Sequence, residues 1–455
     1  FTGDHLPAMD SKTAAFITLG CKINQYETEA IRREVLELGY EEVKASDPAD
    51  VYVVNTCSVT AQSGIKSRKY IQRAARANPQ ARIVVVGCSS DEEKESFSRI
   101  PQVALLGGNR EKPMVASFLD GCWDPGDEIP SEMRDIFDLS ISGFGDRTRA
   151  TVKVQDGCSN YCSFCTIPFL RGLSRSRAAG DVIDEIRRLV DNGYVEVVIS
   201  GVHLQDYGLD FESPRVLVDL LTEIVEVPGL RRVRLSSLGA RAFTPRLLDL
   251  LENPVFCRHW HVPLQAGSDR VLEIMRRGYT IDDFRRAVEG LRKRFVDPSL
   301  TTDVIVGHPG ETGEDFSETL ERCEEFAFSK IHVFPFSMRE GTLAASLKRD
   351  VVDQAEVRRR SGVLGELDRK LNLAYRKRFL GRSLEVLVEG PVKGDENCLV
   401  GMAQRYLRVS FPAPSAGALR RFQGTLQAVK VDKITDSGLQ GHWDEIPVNV
   451  AGPVS

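Results

Sequence analysis

Three short apolar runs near the start of the chain each stop at a cysteine: AAFITLG before Cys21, VYVVNT before Cys57 and RIVVVG before Cys88. Between them the spacing turns helical. Ala30, Ile31, Val35 and Leu38 recur on one side of Glu27 to Leu38, and Ser63 to Ala77 reads as a second helix. Strand and helix alternating in this way predict an open parallel α/β sheet. The carboxyl ends of such strands meet along one edge, where ligands bind. Cysteines distant in sequence are therefore expected close together in space. Each alone is equally the small buried residue that a free cysteine often is. Their coincidence at three strand ends favours a ligand set with one open iron.

A second triad lies in one stretch. Lys153 to Arg171 reads KVQDGCSNYCSFCTIPFLR, with Cys158, Cys162 and Cys165 spaced C-x3-C-x2-C and Phe164 before the last. Three thiolates on a tight loop can cap one face of an iron–sulfur cube and leave one iron open. The competing reading is structural zinc. Zinc in that role takes four ligands, and no partner pair or histidine follows at the required spacing.

C-x3-C-x2-C with an aromatic residue before the third cysteine resembles the motif of radical S-adenosylmethionine (SAM) enzymes. The resemblance implies that the open iron chelates the amino and carboxylate groups of SAM. An electron then cleaves SAM to a 5′-deoxyadenosyl radical, with Phe164 near the adenine. A three-cysteine domain ahead of such a motif is similar to the methylthiotransferases. LGCKINQYETE around Cys21 and NTCSVT around Cys57 resemble the branch that modifies N6-threonylcarbamoyladenosine in tRNA. The isopentenyladenosine branch favours GCQMN, and the ribosomal-protein branch GCPKN. GCSSDEE at Cys88 departs modestly from the usual Tyr or Ala after the cysteine.

That resemblance implies two [4Fe–4S] clusters, one on Cys21, Cys57 and Cys88 and one on Cys158, Cys162 and Cys165. SAM is used twice, once to methylate a sulfur at the first cluster and once as the radical source at the second. The product is a methylthio group at carbon 2 of the threonylcarbamoyl base, just 3′ of the anticodon. The base would be splayed out and held between the two. A tRNA anticodon loop, an electron donor and a sulfur donor are the implied partners. Other substrates remain open, the isopentenyl base or an aspartate of a ribosomal protein, as does a non-enzymatic RNA-binding protein with zinc at the cysteines.

The rest of the chain is read around these triads. Residues 111–148, with Pro125, Gly126 and Pro130, read as an acidic linker holding an unpartnered Cys122. From Arg149 to about Phe336 six strands, TVKVQD, VEVVISG, RRVRLSS, WHVPLQ, TTDVIVG and IHVFPFS, alternate with helices near 180–192, 214–226, 244–252, 268–277, 281–294 and 311–326. Six units fall short of an eightfold barrel, and the resemblance implies a partial (β/α)6 barrel with a cluster at its mouth. Strand ends offer candidate SAM contacts: Gly201 in SGVHLQDYG, for close backbone approach; Ser236 and Ser237 in RLSS; Gln265 and Ser268 in HVPLQAGSD; and Val304 and Val306 in DVIVGHPGET, flanking the adenine. Each is equally an ordinary β–α turn, with Ser268 capping a helix. Gly239 stands where relatives commonly carry Glu, and His308 where Phe is common; His308 is expected to be a packed or surface residue rather than a catalyst. Of Arg171, Arg175 and Arg177 after the loop, one is a candidate for the SAM carboxylate and the others for RNA phosphates, with solvated surface as the alternative, and Arg339 in FPFSMREGTLAA is a candidate substrate contact.

Val351 to Phe379 reads as one long charged helix. Short β segments from Leu380 to His442 predict a small antiparallel barrel resembling the TRAM RNA-binding module. Its Lys393, Arg405, Arg408, Arg420, Arg421, Lys430 and Lys433 are offset by nearby acids. Cys257, Cys323 and Cys398 are isolated and read as packing residues. The expected domains are residues 12–125, 144–375 and 378–445. At 455 residues two or three domains are expected. A net charge of −5 argues against RNA binding by bulk charge. No apolar run approaches the roughly 20 residues of a membrane helix. The start lacks the pattern of a signal peptide, and the residues before Met9 read as an added leader. Ten cysteines are too few for a disulfide scaffold, so a reducing compartment, the cytoplasm, is expected.

Overall fold

The computed structural model describes residues 12–58, 61–89, 93–127, 129, 135–347, 350–414 and 419–444. Met9, the ends of NTCSVT and GCSSDEE, Pro130, the side chain of Arg420 and position 445 lie outside the described residues. Two compact units divide the chain: Phe1–Ile141 with Thr166–Gly172, and Ser142–Cys165 with Leu173–Ser455.

The first unit is the expected parallel sheet. Its strands are β1 (Thr13–Thr18), β2 (Glu41–Glu42), β3 (Val51–Thr56), β4 (Arg82–Gly87) and β5 (Val103–Leu106), in the order β2-β1-β3-β4-β5. All neighbours run parallel. β3 is buried along its whole length, as a parallel strand covered by helices on both faces must be. The two edge strands were not legible in the sequence, one because it is two exposed glutamates and the other because it is four residues long. The first helix runs Lys22–Glu37, starting directly after Cys21 rather than at Glu27. Its opening turn hides polar Asn24 and Glu27, which interrupt the apolar stripe that marks a helix. The expected linker is also partly ordered: a 3-10 turn Lys112–Met114 leads into a helix Val115–Asp120, with Met114, Val115, Phe118 and Leu119 buried. Nine helical residues are too few to show a period.

The second unit carries the six expected strands: β6 (Ala150–Asp156), β8 (Glu196–Gly201), β9 (Arg232–Leu235), β10 (His259–His261), β11 (Ser299–Val306) and β12 (Lys330–Pro335), with a short β7 (Arg175–Ser176) added. They form a four-stranded sheet β7-β6-β8-β9 and a three-stranded sheet β10-β11-β12. Every pair is parallel except β6–β7. Two backbone hydrogen bonds, from Cys257 to Val233 (2.9 Å) and from Leu238 to His261 (3.0 Å), carry the arc from one sheet to the other. The long helix spans Gln354–Lys377.

After it, β13 (Ser383–Val392), β14 (Asp395–Ala403), β15 (Arg408–Pro412), β16 (Leu426–Thr435) and β17 (Gly438–Trp443) close a barrel in the order β13-β14-β15-β17-β16. It is antiparallel except for β15–β17. Buried charge joins it to the strands before it. Arg232 donates to the Glu385 carboxylate (2.7 Å) and carbonyl (2.6 Å), and Arg234 to the Gln404 carbonyl (3.0 Å). Glu196 lies between these arginines. Burial opposes its charge, yet Arg234 and Arg232 hold its carboxyl below the usual range.

Candidate functional site

Cys21, Cys57 and Cys88 come together at one edge of the first sheet. β1, β3 and β4 are neighbours, Thr18 pairs with Asn55, and Thr56 pairs with Gly87. Each cysteine therefore follows the last paired stretch of its strand. Gly20 makes the close approach possible. Its φ is +97°, and a Cβ there would sit 2.5 Å from Cys57 Sγ. Asn24 pins the turn by donating to the carbonyls of Leu19 (2.8 Å) and Thr56 (2.7 Å). Asn109 donates to Cys88 Sγ at 3.5 Å.

Behind this edge lies a buried charge cluster. Glu27 accepts from Arg171 at 2.9 Å and from Lys112. Arg171 also donates to Asn24 at 2.7 Å. All three charged side chains are essentially inaccessible. Burial lowers the Lys112 pKa, with Glu27 opposing that and Arg171 adding to it. Lys112 lies close enough to Cys88 for the two charges to interact. This charge cluster corrects the expectation for Arg171. Its guanidinium is enclosed and paired within the first unit, with no surface to offer SAM or RNA.

The loop triad is held from several sides. Cys158 is buried, and Cys162 and Cys165 are half-buried. Tyr161 takes a left-handed φ of 48° and turns the chain between Cys158 and Cys162. Ser163 donates its N–H to the Met275 carbonyl (3.0 Å) and accepts from the Ala344 N–H (2.8 Å). Arg277, absent from the sequence-based expectations, donates to Cys162 Sγ at 3.1 Å. Burial opposes its charge, but Tyr279 and Cys162 keep it protonated. Burial also pushes the Cys158 thiol upward. Three cysteines on one short loop, backed by a buried guanidinium, fit an anionic cluster. Among the described residues, the one set of three ligand atoms within 4.8 Å of one another contains no cysteine.

Phe164 is half-buried, its ring edge-on to His308 at 6.3 Å. Of the packed and surface positions expected for His308 the structure shows the packed one, bonding Ser163 Oγ (3.1 Å) and the Pro309 carbonyl (2.9 Å). The Pro309 contact makes Nδ1 the protonated nitrogen and leaves Nε2 to accept from Ser163.

At the ends of β8 and β9 three buried polar atoms lack a hydrogen-bond partner among the described residues: Ser200 Oγ, Ser236 Oγ and Gln205 Oε1. Such atoms are costly unless a ligand satisfies them, and they fit the polar groups of SAM. Ser236 was expected in this role, and Ser237 beside it is exposed. A Cβ at Gly239 would meet Gln205 Oε1, the far end of a flexible side chain. Gln265 is partly exposed in a left-handed conformation (φ 63°), its backbone fixed to Asp303 and Ile305.

A Cβ at Gly201 would meet Gln155 Oε1 at 2.8 Å and the Leu204 backbone at 3.2 Å, so a side chain there would displace its neighbours. Several other expectations are corrected. Val304 and Val306 are fully buried. Alternate residues of a strand face opposite ways, so Ile305, on the partly open face with Asp303, is the apolar residue a ligand can reach. Ser268 donates to Asp315 (2.8 Å) instead of capping its helix. Arg177 is buried against Glu185 (3.1 Å). Arg405 donates to the Val296 and Asp297 carbonyls and so faces the larger barrel. Arg175 is exposed and Arg339 half-buried. Lys393, Arg408, Arg421, Lys430 and Lys433 are exposed.

Residues 152–323 match the radical SAM superfamily, and residues 13–108 match the uncharacterized protein family UPF0004. The chain is 39% identical over 408 residues to the threonylcarbamoyladenosine tRNA methylthiotransferase MtaB of Bacillus subtilis, covering 88% of this chain and 90% of that one. It is 33% identical to the tRNA-2-methylthio-N(6)-dimethylallyladenosine synthase of Desulforamulus reducens, over 95% of each chain. Among solved structures, the radical SAM methyltransferase TsrM of Kitasatospora setae superposes with a TM-score of 0.51 at 18% identity, over 71% of this chain and 75% of that one.

Proposed function

We propose that this chain, which belongs to the radical SAM tRNA methylthiotransferase family, places its methylthio group on carbon 2 of N6-threonylcarbamoyladenosine next to the anticodon. The enzyme is a transferase that uses an iron–sulfur cluster and SAM. The threonylcarbamoyl substrate is supported by the LGCKINQYETE run at Cys21 and by the likeness to the Bacillus subtilis relative. The observation that carries the reading is that Cys21, Cys57 and Cys88, besides the loop triad, are gathered at the carboxyl edge of a parallel sheet. It matches a reaction that needs two reactive centres.

Carbon 2 of adenine carries a C–H bond with no acidic or electrophilic handle, so radical chemistry is required. We assign one [4Fe–4S] cluster to Cys158, Cys162 and Cys165 and a second to Cys21, Cys57 and Cys88. When bound, the first supplies the electron that cleaves SAM, and the second holds the sulfur that SAM methylates. Arg277 stabilises the negative charge at Cys162, and Lys112 does the same near Cys88. Ser200, Ser236 and Gln205 offer their unpartnered atoms to SAM, Gln265 a further polar contact, and Phe164 and Ile305 flank the adenine. Arg175 and Arg339 meet tRNA phosphates, and the exposed cations of the C-terminal barrel add to the RNA contact. Residues 12–125, 144–375 and 378–445 are the corresponding domains. An electron donor and a sulfur donor complete the reaction, in the cytoplasm.

Two experiments test this. Mass spectrometry of tRNA nucleosides from a strain lacking the protein should show loss of 2-methylthio-N6-threonylcarbamoyladenosine. Its persistence without a redundant enzyme, or loss of the isopentenyl product instead, rejects the substrate. Replacing Cys21, Cys57 and Cys88 together by Ala should leave SAM cleavage but stop methylthiolation; continued product formation rejects the two-cluster scheme.

A further inference from the structure

His261, Asp303 and His332 lie on three adjacent parallel strands. Strand register sets His261 opposite Thr301 and Asp303 opposite His332. With a side-chain period of two, all of them share one face of the β10-β11-β12 sheet. His261 Nε2 is 3.1 Å from Asp303 Oδ2, and its Nδ1 is 2.9 Å from Thr301 Oγ1. The two imidazole rings stand 5.7 Å apart. His261 and Asp303 are partly open and His332 is exposed, unlike Thr302, Val304 and Val306 on the opposite face, which are sealed.

One step toward the carboxyl end, the same face carries Ile305 opposite Phe334, and Phe334 is 43% exposed. An aromatic ring open to solvent is a stacking surface for an unpaired base. The face thus has an apolar shelf and, two to four residues deeper, a floor of two imidazoles and a carboxylate. His261, Asp303, His332 and Phe334 are used neither by the cysteine triads nor by the unpartnered atoms on β8 and β9, while Ile305, which flanks the SAM adenine, joins this face to the cofactor site.

We propose that His261, Asp303 and His332 form the pocket for the polar N6 substituent of the substrate base, and that this pocket separates threonylcarbamoyl from isopentenyl adenosine. The inference rests on the substrate reading above. The threonylcarbamoyl group presents urea N–H donors, a hydroxyl and a carboxylate. Asp303 accepts from the N–H or hydroxyl donors, and His332 donates to the carboxylate. His261, held between Asp303 and Thr301, is a positioning residue for Asp303. An isopentenyl group has no polar atom to return to these groups, and a site built to hydrogen-bond its substrate strongly rejects an analogue that lacks the partners.

The test uses the reconstituted holoenzyme with one tRNA carrying either threonylcarbamoyl or isopentenyl adenosine at the target position. Methylthio product and 5′-deoxyadenosine are measured separately for wild type, His332→Ala, His332→Gln and Asp303→Asn. The expected result is a fall of about tenfold or more in kcat/KM on threonylcarbamoyl tRNA for His332→Ala, with partial rescue in His332→Gln. The preference over isopentenyl tRNA should narrow, while SAM cleavage without tRNA stays unchanged. A wild-type preference that survives in all three variants overturns this assignment alone. So does loss of SAM cleavage in step with product, and so does a bound non-iron metal that is lost in His332→Ala. Wild-type enzyme that modifies only isopentenyl tRNA overturns the substrate reading and this pocket with it.

Discussion

Arg277 and His308 support the cysteine loop from below, and neither is a ligand. Arg277 donates to Cys162 Sγ from a buried position. Because a cluster gains negative charge on reduction, Arg277→Ala should make reduction harder. The midpoint potential is expected to fall by about 60 mV for each tenfold loss of differential stabilisation, measurable by redox titration. His308 acts through packing. Burial lowers its pKa below the ordinary 6.5, opposed by the Pro309 contact. The folded chain therefore prefers the neutral ring. Its contribution is present above about 6.5 and is lost as pH falls through the folded value. Thermal melts should show wild type losing more stability than His308→Phe between about pH 7 and pH 5. The motif made the three cysteines readable; the two supports come from distant segments with no local signature.

Within elements, the first helix shows how function displaces pattern. Its opening turn is polar, yet Asn24 and Glu27 are buried there because they join the turn after β1 to Lys112 and Arg171. Removing one partner of a buried ion pair leaves an uncompensated charge. Arg171→Ala should cost about 3–5 kcal/mol, read by chemical denaturation. Gly20 offers a sharper test. A side chain there meets both a left-handed backbone and Cys57 Sγ. Gly20→Ala should lower iron content at the first triad and stop methylthiolation, while SAM cleavage persists. Retention of full iron content would count against the close approach of these segments. Strand β11 carries the complementary lesson: its valines and its Ile305 look alike in sequence, and only alternation across the sheet sorts them into sealed and reachable.

For the molecule as a whole, the C-terminal barrel is coupled to the strands it follows. Arg232 and Arg234 are buried and satisfied in part by Glu385, Gln404 and Ala403. Ending the chain after the long helix would strip these partners. The truncated protein should be destabilised by several kcal/mol and lose solubility along with any RNA affinity. A cleaner probe of RNA contact is Lys430→Glu with Lys433→Glu, since both side chains are exposed. Affinity for tRNA should drop, and the dependence of log Kd on log salt should flatten by about one to two units.

Periodicity and spacing were enough to read the order of strands and helices, the two cysteine triads and the change to short β segments, because each is a local pattern repeated along the chain. They left open which basic residues face solvent. Arg171, Arg177 and Arg405 sit in the same charged stretches as Arg175 and Arg408 and differ only in the carboxylates or carbonyls that folding brings to them. The His261–Asp303–His332 face was equally hidden, since strand register alone sets residues from three segments side by side. A run of sequence records what a residue is, whereas burial and partnership are properties of pairs, and those pairs form only when distant segments pack.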